Sequence, residues 1–212
     1  TCGEHYQNVI PELGSVEHII KTVNNEHFAI LNASELTIVK YTEDGNVVWT
    51  KVYPELANFG FLTDNNYDGV TISTTEEILA LDANGSTIWN KKINNSAGMK
   101  YNAMCRDANG YTLLRAKSGT AELEKLSING DLIGTYRLNL SPVTFGLLPY
   151  IGDILPTSNG GYLLTGLVGG IALGTQQQNM LAIKINSNME VAWANAYANE
   201  VVPTQVSHGS ST

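Results

Sequence analysis

The sequence is poor in cysteine, in positive charge and in long apolar runs, and each shortage argues against a class of protein. Two cysteines among 212 residues allow at most one disulfide, so the chain is not a disulfide-stabilised scaffold. Only 12 lysines and arginines stand against 20 acidic residues, which gives a formal net charge of -8. Nucleic-acid binding depends on cations that release counterions, so this composition argues against it. No apolar run is long enough for a membrane-spanning helix.

The charged fraction is also low, at 15%, while hydrophobic residues make up 43% of the chain. A disordered chain has the opposite composition, because it lacks the apolar surface that would offset the entropy of folding. The length predicts one domain, or at most two small ones, with a core that needs no covalent staples.

Four segments of the sequence share one pattern, which predicts a strand, a tight turn and a second strand. The segments are residues 35–53, 77–89, 121–134 and 180–193. Their turns are Asp44-Gly45, Asn84-Gly85, Asn129-Gly130 and the less typical Asn188-Met189. Asn-Gly and Asp-Gly favour two-residue hairpins, because both turn positions need a positive φ.

A polar turn that leads into an apolar strand precedes each hairpin, and a further candidate strand precedes that turn. The candidate first strands are residues 16–23, 58–63, 100–106 and 153–157. Each repeat therefore holds four predicted strands within about 40 to 50 residues, the length of a propeller blade.

The repeats resemble those of bacterial propeller-like proteins, whose blades read D-G-G-Y, a variable loop, L-x-K-x-D-x-x-G-N, two hydrophobic residues and W. The matching residues are Asn159-Gly160-Gly161-Tyr162, Ile183-Lys184-Ile185, and Val39-Lys40 through Gly45-Asn46-Val47-Val48-Trp49. Gly134 and Met189 depart from the pattern. The resemblance, from residue 14 to 197, implies an all-β, β-propeller-like fold of about four blades with four antiparallel strands each. A rival likeness to bulb-type mannose lectins lacks their sugar-binding motif.

The repeats also predict the boundaries of the chain's parts. Residues 1–14 would form an N-terminal tether, 15–198 a single propeller-like domain, and 199–212 a C-terminal tail. The predicted units are residues 15–54, 55–95, 98–140 and 150–198. One strand-like stretch lies in the tail, where Pro203 restricts it to a sheet edge or a turn.

The first residues, Thr1-Cys2-Gly3-Glu4, resemble the processed start of a bacterial lipoprotein. That resemblance implies lipidation of Cys2 and a lipid-anchored protein of the outer membrane or cell surface, of the kind found in Bacteroidota. Two alternatives are an incidental thiol at Cys2 and a disulfide between Cys2 and Cys105.

No catalytic or cofactor-binding constellation is evident in the sequence. The four histidines are scattered without metal-ligand spacing, and a G-x-S-x-G nucleophile elbow is missing. We therefore expect neither an enzyme nor a cofactor or metal site. Trp49, Trp89 and Trp193 recur at one repeat position, which favours packing between blades over a sugar-binding platform.

Two long, apolar departures from the repeat predict a partner-binding surface. Residues 139–152 and 166–178 would emerge on one face of a propeller as a connection between blades and a loop within the fourth blade. Their exposed candidates are Phe145, Leu147, Leu148, Tyr150, Ile171 and Leu173. Contiguous apolar surface indicates a binding site, although both segments could instead pack within the chain.

Together these features favour a non-catalytic surface lipoprotein that acts as an interaction or scaffold subunit of an outer-membrane protein assembly. Its expected partners are proteins of a membrane-associated complex and, through the lipid on Cys2, the membrane itself; nucleic acid is not expected. The alternative is a carbohydrate- or peptide-binding module that uses the face of the propeller.

Overall fold

The computed structural model of the protein describes most of the predicted repeats. The described residues are 15–22, 24–32, 35–54, 59–74, 77–92, 101–117, 120–140, 149–172, 175–197 and 204–206. They form strands, turns and bends but no helix, so none of them belongs to a helix that could cross a membrane.

Four antiparallel sheets follow one another along the chain, and each is one propeller blade. Blade 1 consists of β1 (Ser15–Lys21), β2 (His27–Asn32), β3 (Leu36–Tyr41) and β4 (Val47–Tyr53). Blade 2 consists of β5 (Phe59–Asp64), β6 (Val70–Thr74), β7 (Glu77–Leu81) and β8 (Thr87–Lys92).

The second half of the chain repeats the arrangement. Blade 3 consists of β9 (Tyr101–Asp107), β10 (Gly110–Lys117), β11 (Thr120–Ser127) and β12 (Leu132–Asn139). Blade 4 consists of β13 (Pro149–Pro156), β14 (Tyr162–Ala172), β15 (Thr175–Ile185), β16 (Val191–Tyr197) and β17 (Thr204–Val206). The predicted all-β, propeller-like fold with four four-stranded blades is confirmed, and the tail adds β17 as an edge strand beside β16.

The turn between the third and fourth strand of each blade has the predicted chemistry. Gly45, Gly85 and Gly130 adopt φ values of 77°, 73° and 78°. In blade 4 Met189 takes the same conformation, with φ at 65°. The side-chain oxygen of Asn186 accepts hydrogen bonds from the N–H groups of Asn188 and Glu190, at 2.9 and 3.0 Å. These bonds close the turn without a glycine and help to offset the strain of a left-handed side-chain residue.

The chain divides into two compact units, residues 1–94 and 95–212, each with its own core between two blades. We call the face of a blade that packs on the next blade in sequence its forward face, and the opposite face its reverse face. In the first unit the core joins Phe28, Ile30, Leu36 and Ile38 of blade 1 to Leu62, Val70, Ile72, Leu79 and Leu81 of blade 2. In the second unit it joins Ala103, Leu114, Leu123 and Leu138 of blade 3 to Ile154, Tyr162, Leu164, Ile183 and Ala194 of blade 4.

The segment from residue 166 to 178, expected as a loop, is largely strand. The ladder between β14 and β15 continues to the pair Ala172 and Thr175, so both strands are 11 residues long. The corresponding strands of the other blades have five to eight residues. The glycines at 169 and 170 suggested a loop, but a backbone ladder needs no side chain, and the two-residue connection suits a hairpin.

Candidate functional site

The structure describes only part of the predicted partner-binding surface. The lipidation site Cys2 and the patch residues Phe145, Leu147, Leu148 and Leu173 lie outside the described residues. Ile171 lies in β14, where its backbone pairs with Gln176. Tyr150 lies in β13, and its side chain is 63% exposed.

Tyr150 belongs to an apolar row that crosses four strands of blade 4. It pairs with Leu167, which pairs with Met180, which pairs with Tyr197. Directly opposed residues of neighbouring strands point to the same side of a sheet, so all four side chains share one face. Their exposed fractions are 63%, 38%, 60% and 36% in that order. We call these residues the blade 4 row.

The row lies on the forward face of blade 4, and three of its repeat equivalents in blades 1 and 3 are buried. Ala121 and Leu138 hold the positions of Met180 and Tyr197 in blade 3, where each is at most 2% exposed. In blade 1, Leu36 holds the position of Met180 and is 4% exposed. The forward faces of blades 1 and 3 are thus covered by a following sheet, whereas large apolar side chains of blade 4 remain accessible.

Two further apolar side chains lie on the same face, nearer the turns. Leu155 is 49% exposed and Trp193 is 39% exposed. Between them and the row runs a smaller, more polar line formed by Asp153, Thr165, Ala182 and Asn195. The forward face therefore presents two apolar bands around a polar strip, a pattern common in protein-binding surfaces.

Sequence reasoning identified Tyr150 but missed Leu167, Met180 and Tyr197. Alternation along a strand divides its side chains between two faces. Only the register between neighbouring strands shows which residues lie opposite one another on the same face. The bulge between Ile151 and Asp153 shifts the phase of β13, so simple alternation would have placed Tyr150 on the wrong side.

A polar cluster in the second unit holds blades 3 and 4 together. The Tyr162 hydroxyl donates to Asp107 Oδ2 at 2.5 Å and lies 2.7 Å from the hydroxyl of buried Thr112. Lys125 Nζ is 3.5 Å from Asp107 and lies over the Tyr162 ring. Burial and the bond to Asp107 raise the pKa of Tyr162. Burial alone would raise the pKa of Asp107, but the bonds from Tyr162 and the Asn109 N–H, with the Lys125 charge, lower it.

These residues line a cleft of about 430 Å³ between two turns of the second unit. Its walls are residues 107–109 and Lys125 of blade 3 and residues 156–158 and 160–162 of blade 4. Asp107, Lys125 and Tyr162 already bond to one another, so the cleft offers a ligand few uncommitted polar groups from this cluster.

A second ionic cluster lies on the reverse face of blade 3. The Arg115 guanidinium pairs with the Glu124 carboxylate. The Tyr101 hydroxyl donates to Glu124 at 2.7 Å and accepts from Arg115 at 2.6 Å. Burial, then the hydrogen bond to Glu124, raises the pKa of Tyr101. Such a network offsets part of the cost of burying charge, which is a structural role.

Cys105 has a buried, free thiol on the forward face of blade 3. Burial, with the nearby carboxylates of Asp107 and Asp153, raises its pKa to about 12. A thiol that stays protonated is a poor nucleophile and a poor metal ligand. The part of the chain that the structure describes contains no group of three or more His, Cys, Asp or Glu that could hold a metal ion.

The predicted packing role is confirmed for Trp49. Its indole N–H donates to the Ala83 carbonyl in the turn of blade 2 at 3.1 Å, and its ring meets Phe28 edge-on at 5.8 Å. A Cβ on Gly85 would lie 2.9 Å from the ring. Trp49 therefore joins two blades, whereas Trp193, at the same repeat position, lies partly exposed on the forward face of blade 4.

Solved structures are similar to this chain at low sequence identity. A protein of unknown function from Bacteroides caccae matches with a TM-score of 0.59 and 15% identity over 92% of this chain and 71% of its own. A catalytically inactive virginiamycin B lyase from Staphylococcus aureus, with quinupristin, matches with a TM-score of 0.57 and 12% identity over 97% of this chain and 74% of its own. No family model and no curated protein matches the sequence. These similarities support the propeller-like fold.

Proposed function

We propose that the protein is a non-catalytic, lipid-anchored subunit that binds another protein of a bacterial outer-membrane assembly through the forward face of blade 4. The exposed blade 4 row carries this proposal. Four large apolar side chains in register are accessible, whereas the equivalent residues Leu36, Ala121 and Leu138 of blades 1 and 3 are buried. Contiguous exposed apolar surface of this kind is characteristic of interaction sites.

The composition of the row also favours a protein partner. Tyr150 and Tyr197 flank Leu167 and Met180, so the row ends in two amphipathic aromatic rings. Tyrosine and methionine are enriched at protein interfaces, because the first buries a large area with one polar handle and the second adapts its shape. The predicted patch residues Phe145, Leu147, Leu148, Ile171 and Leu173 would extend this surface.

The proposal that the protein is not an enzyme rests on the ionisable groups with shifted pKa values among the described residues. Several groups with a clearly shifted pKa belong to hydrogen-bonded clusters between or within blades, such as Tyr162 with Asp107 and Tyr101 with Glu124. Perturbed groups are candidates for catalysis when they face a cleft with an open partner site. Tyr162 and Asp107 face a cleft, but they use their hydrogen bonds on each other and on Thr112.

The lipid anchor and the outer-membrane location rest on the resemblance of residues 1–4 to a processed lipoprotein. Mass spectrometry of the N-terminal peptide from protein extracted with detergent tests this part. Diacyl- or triacyl-modified Cys2 is expected, and an unmodified Cys2 in membrane-extracted protein would remove the anchor from the proposal.

Site-specific crosslinking tests the contact surface. A photoreactive amino acid replaces Met180 in one variant and Leu132 in another; both native side chains are 60% exposed, on different blades. We expect a discrete crosslinked protein from Met180 and none from Leu132 after irradiation of intact cells. Met180→Asp should abolish copurification of the same protein while Leu132→Asp leaves it unchanged. Equal crosslinking from both positions would contradict a site on blade 4.

A carbohydrate- or peptide-binding module remains the second candidate, and the cleft beside Tyr162 is the observation in its favour. It combines an aromatic ring with hydroxyl and amide groups, the groups that bind sugars and short peptides. Glycan-array and peptide-array binding by the isolated protein tests it. Binding that Asn109→Ala weakens and Met180→Asp leaves unchanged would favour the cleft over the blade 4 row.

A further inference from the structure

Three side chains on the forward face of blade 1 donate hydrogen bonds to one turn of blade 2. Lys40 Nζ and the Trp49 indole N–H both donate to the Ala83 carbonyl, at 2.9 and 3.1 Å. The Tyr53 hydroxyl donates to the Gly85 carbonyl at 2.8 Å. We call these three donors the blade 1 triad. They bind a hairpin turn by two of its carbonyl oxygens.

The triad recurs in blade 4 as Lys184, Trp193 and Tyr197, with the same spacing along the chain. The register agrees, because Lys184 lies directly opposite Trp193, as the lysine and tryptophan of blade 1 lie opposite each other. Trp193 and Tyr197 are four residues apart on one strand, so they share a face of the sheet. We call these residues the blade 4 triad. Blades 2 and 3 lack the full set, since Ala80 replaces the lysine and Gly134 the tryptophan.

The apolar neighbours of the triad are repeated as well. Leu155 and Leu163 continue the row of Lys184 across β13 and β14. Ile20 and Phe28 hold these positions in blade 1. Phe28 belongs to the core that blade 1 shares with blade 2, and Ile20 packs against that core. Blade 4 therefore presents the main elements of the surface with which blade 1 holds blade 2.

The blade 4 triad is accessible and can donate hydrogen bonds. Trp193 is 39% exposed and Tyr197 is 36% exposed. The Tyr197 hydroxyl accepts a bond from Asn195 Nδ2 at 3.4 Å. A hydroxyl that accepts one bond can still donate its own proton, so Tyr197 can bind a carbonyl as its equivalent in blade 1 does.

The charge of Lys184 favours an acidic partner. Lys40 Nζ lies 2.7 Å from a glutamate carboxylate of its own blade. Lys184 Nζ instead donates to the neutral hydroxyl of Thr157 and to the side-chain oxygen of Asn159. It is also the only charged residue in the sequence from 154 to 189. A carboxylate of the partner would complement this charge.

We infer that the blade 4 triad binds a β-hairpin turn of the partner protein through two turn carbonyls, and that an acidic residue of this turn faces Lys184. The inference rests on the proposed function, since it states what the partner presents to the forward face of blade 4. The turn that blade 1 binds has this composition, Asp82-Ala83-Asn84-Gly85. Tyr197 also belongs to the blade 4 row, so the turn would dock at one end of the proposed contact surface. A second copy is the poorer occupant, because a chain of net charge -8 repels its own copy.

A synthetic hairpin tests the inference on the full chain. The probe is a cyclic peptide of residues 78–91 of this protein, closed by D-proline-glycine, with its hairpin verified by NMR. As the probe is added to ¹⁵N-labelled protein, the indole N–H signal of Trp193 should move downfield and saturate, because it gains a carbonyl acceptor. The Trp49 signal should stay in place, since that indole already donates to Ala83. A control ring with the same strands but D-proline-glycine in place of the Asp82–Gly85 turn should leave the Trp193 signal unchanged.

Single substitutions remove one donor at a time. Trp193→Phe and Tyr197→Phe should each weaken probe binding by about fivefold, the usual effect of losing one hydrogen bond. Tyr67→Phe removes a phenol with the same exposed fraction of 36% from blade 2, and binding should not change. Calorimetry on the full chain measures the affinities, and circular dichroism checks that each variant is folded.

The outcomes separate this inference from the proposed function. A Trp193 signal that millimolar probe leaves in place, or that the control ring moves equally, would overturn the inference. A Trp193 signal that moves with protein concentration alone would assign the surface to a second copy and overturn it too. In each case a protein crosslinked at Met180 would leave the proposed function standing. Probe binding without any Met180 crosslink would contradict the proposed function alone.

Discussion

At the scale of single residues, the repeat is built around close backbone approaches. Gly69, Gly110 and Gly161 occupy the same position in blades 2, 3 and 4, where the second strand begins. A Cβ at these positions would lie 2.0 to 2.1 Å from the carbonyl oxygen of Leu81, Leu126 or Ile185. Since no real Cβ tolerates such a contact, the glycine of the D-G-G-Y pattern is needed for the turn and the third strand to meet.

Two adjacent glycines in blade 4 are required for different reasons. Gly161 is needed because of crowding, and Gly160 because of its backbone conformation. Gly161→Ala should lower the free energy of unfolding by about 3 kcal/mol, because its Cβ would collide with rigid backbone. Gly160→Ala meets only the Ser187 Cβ at 3.6 Å, although its φ of 82° costs an L-residue about 1 kcal/mol. Urea unfolding of both variants measures the difference. Equal losses would show that crowding against Ile185 is not what selects glycine.

At the scale of strands and blades, one repeat position has different roles in different surroundings. Trp49 and Trp193 both pair with the lysine of their blade, Lys40 and Lys184. Trp49 packs under the turn of the next blade and donates a hydrogen bond to it. Trp193 has a partly exposed ring, so the same sequence motif provides packing in one blade and accessible surface in another.

This difference predicts unequal effects of one substitution. Trp49→Phe removes the bond to the Ala83 carbonyl and part of the ring contact, and should destabilise the fold by about 2 kcal/mol. Trp193→Phe should change stability by no more than about 0.5 kcal/mol. Thermal unfolding monitored by circular dichroism compares the two. A large loss from Trp193→Phe would indicate that its ring is covered in solution.

The elements of the fold were largely predictable because turn chemistry is local. Asp-Gly and Asn-Gly mark the hairpin turns at Gly45, Gly85 and Gly130, and alternation marks the strands beside them. The length of the β14–β15 hairpin was not predictable in this way. Glycine and glutamine have little preference for strands, so only the pairing of one strand with the other makes that segment extended.

At the scale of the whole molecule, the chain consists of two compact units, each with its own core between two blades, and its composition is acidic. The net charge of -8 opposes any contact between copies at low ionic strength, where repulsion between surface charges is little screened.

The sequence by itself determined the class of the fold, the four repeats and the turns, because these depend on residue types close together in the chain. The tertiary structure decided which side chains share a face. Tyr150, Leu167, Met180 and Tyr197 lie far apart in sequence, and strand register and a bulge in β13 bring them into one row. It also decided the length of the β14–β15 hairpin, whose ladder continues to the pair Ala172 and Thr175. Binding surfaces of this protein are therefore properties of register and strand length, which no local pattern encodes.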